Sequence, residues 1–157
     1  ALAAIRRAFL IADDRAWEQD PRFGLSVRAE IGSKALPPTA ADYGTAIAVI
    51  GAGLRVLSEW VPDPDRPPPE PEHPRIRVPA LSTDDLIADF FHPLAREGGG
   101  IVQVGVRLQK VLAALRSMAP ERFAAPATRA SILVTAHAGA ALGVPSEKAA
   151  VEALTLR

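Results

Sequence analysis

Apolar residues recur at helical spacing along most of the chain. Leu2, Ile5, Phe9 and Ala12 fall on one face of a segment running to Asp13, with Arg6 and Arg7 on another. After a connector over Trp17–Asp20, the pair Asp20-Pro21 reads as a helix start, because aspartate caps free N–H groups and proline fits the first turn. Phe23, Val27 and Ile31 then recur every fourth residue and are expected inward, with Arg28 and Lys34 in water and the helix closing at Leu36 before Pro37-Pro38. A polar loop from Pro37 to Gly44 precedes a helix over Thr45–Trp60, which Asp42 is placed to cap. Its apolar residues Ile47, Val49, Ile50, Leu54, Val56 and Leu57 spread around most of the circumference, the pattern of a central helix.

The segment from Pro62 to Pro79 holds eight prolines, which excludes a helix and predicts an extended crossover, with room for one short strand at Arg75–Val78. Ser82-Thr83-Asp84-Asp85 then approximates a capping box ahead of Leu86, Ile87, Phe90, Phe91 and Leu94, and Gly98-Gly99-Gly100 closes that segment as a flexible turn. Val102–Met118 forms the next helix, a further one runs from Pro126 to Leu142 with Gly143 as its stop, and Pro145 opens a last short helix. No internal repeat appears. The expectation is a single compact all-α domain over residues 1–157, of about six helices, with the tract 62–79 as an internal loop.

The longest uncharged run, Ala130–Ser146, is shorter than the roughly 20 residues of a membrane span, contains His137 and ends on Pro145–Ser146, so it reads as a buried helix. The opening residues carry neither an initiator Met nor a signal peptide, which reads as a cut inside a longer protein.

Charge and composition narrow the function. Eighteen basic residues balance eighteen acidic ones, so the chain lacks the field that draws proteins to nucleic acid. Cysteine is absent, which excludes disulfides and thiolate metal sites. His73, His92 and His137 are never three or four residues apart, so no local zinc pair exists, and His137 is expected as a hydrogen-bonded core residue. Gly51-Ala-Gly53 sits within a helix and lacks the third glycine of a dinucleotide loop, and Gly98-Gly99-Gly100 lacks the following Lys-Ser/Thr of a phosphate loop. No cofactor and no metal are expected.

The densest polar stretch runs from Arg15 to Leu25 and resumes from Lys34 to Ala46. Asp20 and Asp42 read as helix caps with Arg15 or Arg22 paired to them. Alternatively Arg15, Gln19, Asp20, Asp42 and Thr45 line a ligand pocket at two converging helix starts. The carboxylates of Glu18 and Asp20 are the weakest of the three readings, an acid/base pair.

This stretch resembles the domain-of-unknown-function family 2254, bacterial predicted membrane proteins. Arg15, Gln19, Asp20, Phe23, Gly24 and Leu25 stand in the register of its Arg-x-x-x-Gln-Asp-x-x-Phe-Gly-Leu pattern, and Ala35, Leu36, Pro38, Asp42, Thr45 and Ala46 follow its next two patterns. Pro37 replaces the family's usual Ser, Ala41 its Asn and Tyr43 its Pro. The resemblance implies several transmembrane helices upstream, with this region as the soluble C-terminal part; the expected location is the inner membrane, and the cytoplasmic side is a working assumption that the residues themselves do not carry. The expected role is non-enzymatic: assembly or sensing, with the membrane part of the same protein and further copies of the chain as partners.

Overall fold

A computed structural model describes residues 6–7, 20–61, 75, 77 and 79–157. Within them the fold is all-α and contains no strand. The elements are α1 (Pro21–Lys34), α2 (Tyr43–Ser58), α3 (Thr83–Gly98), α4 (Val102–Met118), α5 (Pro120–Ala141) and α6 (Pro145–Glu152). Arg6 and Arg7 are helical, and the remainder of the helix expected at Leu2–Asp13 lies outside the described residues. Of the candidate strand, Arg75 lies in a turn and Arg77 in no regular element, while positions 76 and 78 lie outside the described residues.

The bundle is organised around α3 and α5. The α4–α5 and α3–α5 interfaces are the most extensive, α1 packs on α3, and α2 packs on α4 and α1. The α3 helix buries Leu86, Ile87, Phe90, Phe91, Leu94 and Ala95. The Phe90 and Phe91 rings meet edge to face, with centroids 5.0 Å apart at 88°, the arrangement their quadrupoles prefer. From the other helices Leu25, Ile50, Leu108, Leu112, Leu115 and Phe123 join them.

Three expectations are corrected. The α2 helix flanks the bundle instead of running through its centre. It buries one face, Ala46, Ile50, Gly51, Gly53 and Leu57, and exposes Ala48 and Arg55. The inward face of α1 is Leu25, Ala29 and Gly32, whereas Ile31 is 49% exposed and Phe23 and Val27 are half-buried. Small residues win that face because the neighbours are close: a Cβ on Gly32 would stand 2.7 Å from Leu94 Cδ2 and 3.1 Å from Val49 Cγ1. The α5 helix starts at Pro120, six residues before the expected Pro126. Ala119 is already non-helical, Pro120 occupies the first turn, Glu121 favours the positive end of the dipole, and buried Phe123 anchors the start. Pro126 is buried inside the helix, as Pro93 sits inside α3. As expected, Gly98-Gly99-Gly100 closes α3, with Gly99 and Gly100 in a turn. None of the described glycines has positive φ. Gly98 is helical and Gly99 keeps right-handed helical angles at the C-cap. A Cβ at Gly98 would meet Val104 Cγ1 at 2.5 Å and one at Gly99 the His137 carbonyl oxygen at 3.0 Å, so their use is steric.

Candidate functional site

Of the expected motif residues, Asp20, Asp42 and Thr45 are described, and Arg15, Glu18 and Gln19 lie outside the described residues. Asp20 caps α1, its Oδ1 accepting from the Phe23 amide at 3.0 Å. Asp42 caps α2, with Oδ1 accepting from the Thr45 amide at 3.1 Å and Oδ2 from the Thr45 hydroxyl at 2.6 Å. The Thr45 hydroxyl and amide hold the Asp42 carboxyl below the ordinary aspartate range. Arg22 turns to α3, where Asp85 accepts from its Nη1 at 2.9 Å and Asp89 from its Nε and Nη2.

The positions that depart from the family pattern acquire a structural meaning. Ala41 is the one described non-glycine residue with positive φ, at 47°, a conformation that Gly and Asn accept and alanine resists. Tyr43 is the first residue of α2, where proline is favoured. These three positions are thus the left-handed turn, the cap and the first helical residue of this chain, and of the pattern's Asn-Asp-Pro it keeps Asp42 alone.

Sequence reasoning missed two features. The first is a buried polar network. Gln109 and Ser131 are fully buried. Gln109 Nε2 donates to the Ser131 carbonyl at 3.0 Å and the Thr135 hydroxyl at 2.9 Å, and the Ser131 hydroxyl donates to Gln109 Oε1. Ser131 Oγ also accepts from the Leu156 amide at 2.9 Å, and the Thr135 and Thr155 hydroxyls share a bond of 2.6 Å. Arg116 adds a bond of 2.8 Å to the Arg157 carbonyl, so the segment after α6 is pinned to α4 and α5. Ser131 and Thr135 lie one turn apart, and that spacing was the available signal.

The second is a groove of 420 Å³ between α1, α3 and α5, lined by Ser26, Ala88, Asp89, His92, Pro93, Arg96 and His137. His137 is half-buried there, not a core residue. Partial burial, and then the neighbouring charge of His137, push the His92 imidazole below the ordinary histidine range, against the pull of Asp89. A second cleft of 320 Å³ is lined mainly by apolar residues, including Trp60, Leu81, Leu86 and Phe123, together with Thr83 and Arg122.

Among the described residues no cluster of three or more His, Asp or Glu side chains suits a metal ion. No helix among them is long and apolar enough to cross a membrane. No curated protein and no solved structure matches the chain. Residues 1–114 match the family described as "Predicted membrane protein (DUF2254)". That span covers well over half of the 157 residues, and the chain belongs to this family of predicted membrane proteins.

Proposed function

We propose that this chain is the water-facing helical domain of an inner-membrane protein, serving assembly or sensing on the cytoplasmic side. The charge around the bundle carries this reading. The outward positions of α3, α4 and α5 bear Arg96, Glu97, Arg107, Lys110, Glu121, Arg122 and Arg129, all exposed, and such side chains facing hydrocarbon would each cost about 2–4 kcal/mol or more. Membership of a membrane-protein family supports attachment to a bilayer through other parts of the protein. The motif supports a structural use for its aspartates, since both oxygens of Asp42 already bond Thr45.

Sedimentation velocity of the 157-residue chain in detergent-free buffer tests the reading. A single folded species supports it: a dimer or larger ring points to assembly, with the chain's own copies as partners, and a monomer points to sensing through the membrane part. Polydisperse aggregate that resolves only in detergent contradicts it.

A further inference from the structure

The groove between α1, α3 and α5 gathers three nitrogen-bearing side chains from two helices. His92 and Arg96 stand one turn apart on α3, and His137 reaches the same space from α5. The bare Gly99 lets α5 come this close, since a Cβ there would press on the His137 backbone. The groove's carboxylate, Asp89, is paired with Arg22 on α1, whose Nε and Nη2 donate to its two oxygens. Arg96 lines the groove and donates through Nε to Glu97 at 2.9 Å. The other nearby charges are also paired: Glu30, one turn from Ser26 on α1, holds Lys34 at 2.7 Å, and Lys148 of α6 donates to the Gly139 carbonyl. The lining thus offers three N–H-bearing side chains, and its one carboxylate, Asp89, is offset by the Arg22 guanidinium.

We infer that this groove is a proton-coupled site for a tetrahedral oxyanion of the phosphate or sulfate type, with His92, His137 and Arg96 as its donors. Two imidazoles that share one groove repel each other when both are protonated, and an anion between them removes that cost and draws protons onto both. Binding is therefore strongest where both rings are charged and fades as pH rises through the histidine range. Partial burial first, and the charge of His137 second, hold the His92 imidazole below the ordinary histidine range, so the two rings are close enough to sense each other. The inference is independent of the membrane-domain reading, because it concerns only groups within the bundle.

Sulfate is the suitable probe, since its own charge does not change near neutrality. Calorimetric titration of the 157-residue chain with sodium sulfate, at constant ionic strength in chloride, is expected to give a Kd about tenfold tighter near pH 5.5 than near pH 8. NMR titration should show the His92 imidazole becoming more basic with sulfate present, and the His137 ring signals shifting as sulfate is added. His137→Gln and Arg96→Gln, checked for unchanged helix content by circular dichroism, should each weaken binding severalfold, while Lys110→Gln on the outer side of α4 should not. A Kd that ignores pH, an equal loss in Lys110→Gln, or no binding above the chloride background overturns the site. Competition then separates the sources. Displacement of sulfate by phosphatidate vesicles but not by phosphatidylcholine vesicles assigns a lipid headgroup, displacement by inorganic phosphate alone assigns a free ion, and displacement by neither refutes the phosphate class.

Discussion

Single residues here are constrained by space and backbone more than by chemistry. Ala41 holds a left-handed conformation at φ 47°, which costs an L-residue roughly 1–2 kcal/mol. Ala41→Gly should therefore stabilise the fold by about 0.5–1 kcal/mol after glycine's greater chain entropy is subtracted, and Ala41→Asn should act in the same direction. Chemical denaturation of the two variants checks this, and unchanged or lower stability in both would contradict it. Gly53 shows the opposite constraint. A Cβ there would intrude on the fully buried Phe90 ring, so Gly53→Ala should destabilise by about 1–3 kcal/mol even though alanine is the better helix former. Asp42 couples this scale to pH. Its carboxyl is held below the ordinary aspartate range, first by the Thr45 hydroxyl and then by the Thr45 amide. Its contribution is present above that range and is lost as pH falls through the depressed folded value. Thermal melts across acid pH should show this loss in the wild type and not in Asp42→Asn.

At the level of elements, helix starts were legible and helix faces less so. The caps Asp20, Asp42 and Ser82 all stand where the sequence places them, because an oxygen-bearing side chain beside a free amide is a local event that needs no tertiary knowledge. Ser82 Oγ accepts from the Asp85 amide at 3.2 Å, and Ser82→Ala should cost about 1 kcal/mol, read as a fall in melting temperature of roughly 2–4 °C. The buried face of α1 was misread because periodicity favours bulky residues, while the neighbours Leu94 and Val49 leave room only for Gly32. The start of α5 was misread because two prolines compete, and it is burial of Phe123, a tertiary fact, that decides for Pro120.

For the whole molecule, the family pattern and the all-α class were readable, since both rest on order and spacing. The two places where helices from distant sequence meet were not. The Gln109–Ser131 network joins residues 22 apart, and the histidine groove joins α3 to α5. No local window contains either. Gln109→Leu should cost about 1–3 kcal/mol by stripping partners from the buried Ser131 hydroxyl and carbonyl, and amide exchange at Leu156 should quicken with it. The pH response of the molecule has a definite sign through His92. Its folded value lies below the ordinary histidine range, so without a bound anion its contribution is full above about pH 6.5 and is lost as pH falls through the folded value. His92→Gln should flatten the melting temperature in that window.

The central claim, a charged helical bundle that folds in water although its family is one of membrane proteins, is tested most directly by thermal unfolding of the detergent-free chain followed by circular dichroism. The account predicts a strongly helical spectrum and one cooperative transition that added lipid vesicles leave unchanged. A chain that shows no cooperative transition until detergent or lipid is supplied would contradict it.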